Sequence, residues 1–564
     1  MPKTNELVVN ALIEGGVQRA FTLPGLGISW SLPAFKAREK DLDVVLTRSE
    51  WIGSIMAQVT GRLTGRPAAL MGQGAWMQSI GSIGILEAHF SGSPMVVLTE
   101  TSDYDGYNQM GVYQTATGDY GGTDVMAALK PITKYCTFAT APQEAVYGVQ
   151  MAIKHATLPR QGPAAVVMKT TIIRQEVDGP LKPQLYPSAG YHRYTPPRPD
   201  EGAVARLAEM LAKAERPCII AGMGVMSVKG GARLQALAEA AGIMVATSYN
   251  AKGVVAETSP VAVGMLGNWG MPTANRAVAA ADLILMLGAS MGPDYTRFRD
   301  PEMIRPGDQT LVQVDIDPRN AGWVYPVDLA ITGDCGDVID MLAKHKLGQG
   351  QKAKRTKAIA ALKERTGYDS LPDIKAAQGT VHYADIVRAV QGFLGPKDMI
   401  TLDAGTNRIW PTFGLRMPYP EQLLVAGGTG VMGWGAPAAV AAKMVLPERR
   451  LTCLAGDGGF MMTMQVISTA VQRGVDCVFL VANNAGLGMV RDNLGENRIA
   501  CDFNEVDFAA VSEGLGGKGL KVYHPGEIRD ALEEAHKMGG PVVIDAKVDP
   551  VASHKEASDF APLR

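Results

Sequence analysis

Short β-rich runs separated by stretches of helical spacing recur along nearly the whole chain. That alternation limits the fold more than any other feature. The runs fall at residues 44–47, 95–98, 164–168, 218–221, 283–287, 311–314, 451–455, 478–481 and 542–544. Between them, apolar residues recur at helical intervals, as at Ile52, Ile55, Met56 and Val59. Strands alternating with helices predict an α/β chain of parallel sheets with helices on both faces.

A chain of 564 residues exceeds one domain, since about 150 residues is typical. Two breaks divide it. Residues 176–201 are rich in Pro, Tyr and Gly; residues 347–379 are polar, with several Lys and Arg, and include an exposed helix predicted at 353–365. The expectation is three doubly wound parallel-sheet domains at 1–175, 200–346 and 380–550. Hydrophobic residues make up 46% and charged residues 20%, ordinary for globular domains. With 54 Lys plus Arg against 56 Asp plus Glu, the net charge of −2 gives no support for nucleic acid or a membrane surface as partner. The start is polar, Glu14 and Gly15-Gly16 interrupt the next apolar stretch, and no window offers about 20 uninterrupted apolar residues. Neither a secretory leader nor a membrane span is expected. Six cysteines (Cys136, Cys218, Cys335, Cys453, Cys477, Cys501) are scattered without a CxxC pair, which suggests buried small hydrophobes in a reducing cytoplasm. The eight histidines are dispersed as well, which argues against zinc.

The segment from Leu451 to Met489 carries the chemistry. An apolar strand runs into Gly456-Asp457-Gly458-Gly459-Phe460. A second strand ends in Asn483-Asn484-Ala485-Gly486-Leu487-Gly488-Met489, with 24 residues between Gly458 and Asn483. In an open parallel sheet, ligands bind at the carboxyl ends of strands. A glycine-rich turn there lets backbone N–H groups approach a phosphate. Asp457 brings a carboxylate oxygen and Asn484 an amide oxygen, and a carbonyl near Gly486 adds a third; these are hard ligands of the kind Mg²⁺ takes.

GDG, about 25 residues, then NN resembles the signature of thiamine-diphosphate-dependent enzymes. The resemblance covers nearly the whole chain. It implies a pyrimidine-binding N-terminal domain, a middle domain and a diphosphate- and Mg²⁺-binding C-terminal domain. It further implies that Asp457, Asn484 and the Gly486 carbonyl hold Mg²⁺ against the diphosphate. Gly456, Gly458, Gly459, Leu487, Gly488 and Met489 would complete the cofactor's bed. The family also needs a Glu after an N-terminal strand, to hydrogen-bond N1′ of the aminopyrimidine. Arg48-Ser49-Glu50, followed by a helix and by Thr60-Gly61-Arg62-Leu63-Thr64-Gly65, resembles that element and makes Glu50 the catalytic candidate; Ser49 stands where the family often has His. Residues 426–435 resemble the loop that bends the cofactor, with Met432 as the wedge between its rings and the Gly430 carbonyl as acceptor for the 4′-amino group. Asp403-Ala404-Gly405-Thr406-Asn407 resembles a loop that touches the diphosphate, through Thr406 and Asn407.

Within the family, the chain looks like the acetolactate-synthase group: Gly264-Met265-Leu266-Gly267, Val314-Asp315-Ile316-Asp317-Pro318 and Gly486 through Arg491 match it. Trp410 falls where that enzyme has a Trp near its second-substrate pocket. The chain departs at Gly288-Ala289-Ser290-Met291, which lacks the group's Arg, and at Asp492-Asn493-Leu494. Gly118-Asp119-Tyr120 looks like oxalyl-CoA decarboxylase and nominates Tyr120 as a second catalytic residue, able to hydrogen-bond a substrate carbonyl. Leu23-Pro24-Gly25 and the segment with Gln73, Trp76 and Gln78 resemble loops that border the pocket. The implied activity is that of a lyase or transferase: 2-oxo acid decarboxylation with carboligation. The alternatives are cleavage or decarboxylation of a 2-hydroxyacyl- or oxalyl-CoA thioester, and a silent binding homologue. The resemblance implies thiamine diphosphate and Mg²⁺, and leaves FAD, ADP or neither for the middle domain. It implies a homodimer or homotetramer with active sites between subunits, in the cytoplasm.

Overall fold

The computed structural model describes residues 1–102, 113–116, 118, 121–557 and 563. Tyr120 lies outside the described residues. The described residues form three six-stranded parallel sheets and one short two-stranded pair. The first sheet comprises β1 (Arg19–Thr22), β2 (Asp43–Leu46), β3 (Ala68–Met71) and β4 (Met95–Thr101). After the short pair β5 (Tyr113–Thr115) and β6 (Gly122–Asp124), it is completed by β7 (Tyr135–Ala139) and β8 (Pro163–Lys169). Its order is β2-β1-β3-β4-β8-β7.

The second sheet contains β9 (Pro217–Ala221), β10 (Met244–Thr247), β11 (Ala262–Met265), β12 (Leu283–Leu287), β13 (Thr310–Asp315) and β14 (Leu329–Thr332), in the order β11-β10-β9-β12-β13-β14. The third contains β15 (Asp398–Leu402), β16 (Leu423–Val425), β17 (Arg450–Gly456), β18 (Cys477–Asn483), β19 (Lys518–Val522) and β20 (Pro541–Lys547), in the order β16-β15-β17-β18-β20-β19. In each sheet the strand order reverses in the middle, which is the doubly wound arrangement predicted. Central strands such as β9, β12 and β18 are buried along their whole length, as parallel strands covered on both faces must be.

By compactness the chain divides into two units. The first combines Met1–Thr195 with Gly427–Pro447 and Thr463–Val475; the second takes Pro196–Ala426, Glu448–Met462 and Asp476–Arg564. The first unit therefore holds the first sheet together with two helices, Gly435–Val445 and Val466–Arg473, from further along the sequence. In that unit Trp434, fully buried, donates to Gln58 at 3.2 Å, and Arg473 pairs with Asp43 at 2.6 Å.

The polar segment after residue 347 differs from expectation. Its helix, Lys352–Arg365, is anchored rather than exposed. Ile359 joins the core of the second sheet, and Arg355 is 3% exposed. The Arg355 guanidinium donates to the carbonyls of Leu211 (2.8 Å), Ala214 (2.6 Å), Ala241 (3.1 Å) and Leu347 (3.0 Å). These carbonyls lie at or just beyond the C-terminal ends of helices, where no intrahelical donor is available, and a guanidinium offers five donors in a fixed fork. One side chain thereby closes two helix ends, which the composition of the segment could not reveal.

Candidate functional site

The third sheet sets one group of candidate residues. Parallel register pairs Gly456 with Ala482, so β17 and β18 end side by side. The 24-residue spacing thus brings Asp457 and Asn484 to adjacent strand ends. Asp457 is 2% exposed and Asn484 3%. Asp457 Oδ2 accepts the N–H groups of Asn484 (3.0 Å) and Gly486 (3.1 Å), and Oδ1 accepts that of Gly458 (2.7 Å). Burial nevertheless pushes its pKa up to about 6, against the pull of those amides. Burial penalises the charged form of this carboxyl, and a divalent cation would complement it.

The two asparagines divide their work. Asn483 Nδ2 bonds Asp545 Oδ1 and the Val506 carbonyl, both at 2.9 Å, so it ties β18 to β20. The Asn484 amide nitrogen is buried and bonds nothing. Rotating a carboxamide exchanges its nitrogen and oxygen at nearly the same positions, so the group can present oxygen to a cation. Gly486 O accepts the Gly488 N–H at 3.0 Å and keeps its second lone pair. The loop between them is held by Arg491. This guanidinium donates to the carbonyls of Ala485 (3.2 Å) and Pro550 (3.0 Å) and pairs with Asp502 at 2.7 Å. It fixes Ala485 at φ +52, a conformation that a non-glycine residue seldom takes.

Thr406 and Asn407 open the helix Thr406–Gly414 beside β17. Asn407 Nδ2 bonds the Leu454 carbonyl at 3.2 Å. The Thr406 hydroxyl and the Asn484 amide both close on Gly488: a Cβ there would stand 3.4 Å from Thr406 Oγ1 and 2.8 Å from Asn484 Nδ2. Not every glycine-loop amide is available to a phosphate. The Leu487 N–H is bound to the Cys501 carbonyl at 2.7 Å, and those of Gly458 and Gly488 are used inside the loop.

The first unit carries a separate group of candidate residues. Glu50 begins the helix Glu50–Thr64, and Ser49 caps it, its hydroxyl accepting the Trp51 N–H at 3.2 Å. A helix N-terminus favours a charged carboxylate, yet Glu50 is 6% exposed and the net shift is upward, burial outweighing the hydrogen bond from its own amide. A carboxyl whose pKa burial raises suits a group that must share a proton with a ring nitrogen. The loop with Gly430 and Met432 lies in this unit too. Gly430 has φ +63, and Met432 is half-buried, outside the core. Glu87 fixes the loop: its carboxylate accepts the N–H groups of Gly428 (3.2 Å) and Thr429 (2.8 Å) and the Thr429 hydroxyl (2.8 Å). The Gly433 carbonyl accepts from Thr463 Oγ1 at 2.9 Å. Nothing in the sequence pattern marked Glu87, which is 341 residues from its nearest partner.

Comparison with known proteins decides the family. Three models described as thiamine pyrophosphate enzyme domains match in order: the N-terminal TPP binding domain over residues 2–120, the central domain over 204–342 and the C-terminal TPP binding domain over 403–546. The chain belongs to the thiamine pyrophosphate enzymes, in their acetolactate-synthase-like group. Curated relatives align along almost all of it. A probable acetolactate synthase large subunit of Methanocaldococcus jannaschii is 28% identical over 97% of this chain and 92% of its own length. The pyruvate oxidase of Lactiplantibacillus plantarum is 26% identical over 96% and 88%. The acetolactate synthase isozyme 1 large subunit of Escherichia coli is 25% identical over 96% and 93%.

Two residues singled out by comparison with the acetolactate-synthase group are tied into the fold by specific contacts. Trp410 is fully buried, lies in the core of the third sheet and donates to the Ser553 carbonyl at 3.0 Å. Its observed contacts are those of a packing residue. Asp492, from the divergent segment after Arg491, accepts the His554 ring (2.7 Å), the His554 N–H (3.0 Å) and the Ser553 hydroxyl (2.8 Å). Burial acts to raise its pKa, but the bonds from His554 and Ser553 outweigh it and the net shift is downward. Its work is to fasten the segment after β20. In the first unit, Gln73 Oε1 accepts the Trp76 indole N–H at 3.1 Å, and Trp76 meets Tyr113 edge-on. These side chains line the loops after β3 and β4.

Proposed function

We propose that this enzyme decarboxylates a 2-oxo acid and joins the remaining acyl unit to a second carbonyl compound, using thiamine diphosphate and Mg²⁺. Asp457, Asn484 and the Gly486 carbonyl would hold the metal, and Thr406 and the Gly456–Gly459 turn would border the diphosphate. When bound, the cofactor supplies an electron sink for the carbanion left as the carboxylate departs. Glu50, whose buried carboxyl is shifted towards its protonated form, would share a proton with the pyrimidine nitrogen. Met432 would pack against the bound cofactor, and Glu87 keeps the loop in place. Tyr120 is proposed as a hydrogen-bond donor to a substrate oxygen. We further propose assembly as a homodimer or homotetramer, in which Glu50 of one copy serves the diphosphate site of another.

The observation that carries this reading is the desolvated Asp457 set against the unpartnered amide of Asn484 at neighbouring strand ends. Acetolactate synthases recur among the relatives, which favours the 2-oxo acid reaction over cleavage of a CoA thioester. A silent homologue is disfavoured by Glu50, Asp457 and Asn484 being present together. The test is calorimetric titration of thiamine diphosphate with and without Mg²⁺, followed by CO₂ release from a panel of 2-oxo acids. Metal-dependent binding with CO₂ release is expected; metal-independent binding, or none, would overturn the assignment.

A further inference from the structure

The first unit holds a second buried carboxyl that the reaction above leaves without a role. Glu100 is the penultimate residue of β4 and is fully buried. Its Oε1 accepts Gln114 Nε2 at 2.8 Å, and Gln114 Oε1 accepts the Ala75 N–H at 3.1 Å, so the carboxyl is fixed in direction. Its Oε2 is buried and bonds nothing. Burial pushes the pKa up to about 7, more than the Gln114 bond and the Ile28 amide pull it down.

The surroundings are the carboxyl ends of the central strands, the edge where open parallel sheets bind ligands. The loops after β1 and β3 close on Glu100. A Cβ on Gly27 would stand 2.8 Å from its side chain, and one on Gly74 would stand 2.4 Å from its carbonyl oxygen. On Gly72, two residues earlier, the same atom would stand 3.5 Å from Glu50 Cγ. The loop from Gly72 to Gly74 therefore touches both carboxyl-bearing residues. Tyr113 senses both: burial raises its pKa first, then the charges of Glu100 and of Glu50. Among the described residues, Glu50 and Tyr113 are the titratable groups coupled to this place, and Glu100 has no basic partner. A structural carboxyl in a core is normally saturated by donors or paired with a cation. An oriented one with an empty oxygen, at a ligand-binding edge, is arranged for something that arrives.

We propose that Glu100 is a substrate-binding residue, its protonated Oε2 donating a hydrogen bond to an oxygen of the bound small 2-oxo acid. The proposal rests on the 2-oxo acid reading. Ionised Glu100 offers no proton and repels the substrate carboxylate, so binding weakens as the group titrates.

The test is steady-state kinetics of the holoenzyme, with pyruvate and a panel of other 2-oxo acids, from pH 6 to 8.5, in the wild type, Glu100→Gln and Glu100→Leu. The wild-type KM should climb towards about tenfold per pH unit above neutrality, with kcat changing much less. Glu100→Gln keeps a neutral donor and the shape of the site; its KM should be raised about threefold at pH 6 and then stay flat. Glu100→Leu should raise KM about tenfold or more throughout, the loss of one hydrogen bond of about 1.4 kcal/mol. A second readout needs no turnover: a protonated-carboxyl infrared band should disappear between pH 6 and 8 in the wild type and be missing from Glu100→Gln. Identical pH profiles in wild type and Glu100→Gln, or no such band, overturn the role of Glu100 alone. No conversion of any 2-oxo acid by the wild type overturns the reaction and this role with it.

Discussion

Replacing Gly488 by Ala separates the metal site from the stability of the fold. Gly488 opens the helix Gly488–Leu494, where Ala is the better helix former by as much as about 1 kcal/mol. The backbone should accept the change. The new methyl would lie 2.8 Å from Asn484 Nδ2, which is 0.6 Å short of the 3.4 Å where ordinary contact begins. The Asn484 amide is the end of a side chain, so it moves at small energetic cost, but it moves by roughly a third of an Mg²⁺–oxygen bond of about 2.1 Å. Mg²⁺ demands near-ideal octahedral geometry, and disturbances of this kind typically weaken metal binding by about 10–100-fold. That range is about 1.4–2.8 kcal/mol. The assay is a Mg²⁺ titration at saturating thiamine diphosphate, followed by circular dichroism, alongside thermal melts of the cofactor-free protein. Weaker metal binding with an unchanged or higher melting temperature is expected. Wild-type Mg²⁺ affinity in Gly488→Ala would refute the placement of Asn484 as a ligand.

Glu50→Gln should lower turnover by about 10²–10⁴-fold, the range for a positioned acid–base group, while Mg²⁺-dependent cofactor binding measured by calorimetry stays close to wild type. Glu87→Gln places an amide NH₂ against the Gly428 and Thr429 N–H groups; kcat should drop about tenfold, for bonds to a charged acceptor at about 1.5–3 kcal/mol each, with Mg²⁺ affinity unaffected. Glu100 also makes stability depend on pH. Its folded pKa of about 7 exceeds the ordinary 4.5, so the folded state binds the proton more tightly and stability is lost as pH rises through that window. The loss approaches about 3 kcal/mol at 1.36 kcal/mol per unit. Melting temperatures from pH 5 to 8 should fall less in Glu100→Gln than in wild type, and parallel curves would count against the raised pKa.

The sequence announced those parts of the site that sit next to a strand end. Asp457 and Asn484 are legible because each follows an apolar run, and β17 and β18 are neighbours in the sheet. Glu50 is legible for the same reason, after β2. Strands such as β3 and β16 were not, because four residues and three residues are too short for a period to show. Glu87, Glu100 and Gln114 were invisible for a different reason. Each looks like an ordinary polar residue until folding sets it against a loop that is remote in sequence, and no local pattern encodes that approach. Arg355 misled, because a basic residue in a polar stretch reads as solvated until the helix ends it closes are known. Trp410 was read through likeness alone, and its burial in the core of the third sheet shows only after folding.

The central claim is that this chain, through Glu50 and the Asp457–Asn484 pair, supports carbon–carbon bond formation from a 2-oxo acid. Its most direct test is ¹³C NMR of labelled pyruvate incubated with the purified protein, thiamine diphosphate and Mg²⁺, run beside Glu50→Gln. The account predicts a carboligated product, acetolactate or acetoin, from the wild type and none from the variant. Unconverted pyruvate with a cofactor-loaded wild type, or equal conversion by Glu50→Gln, would contradict it.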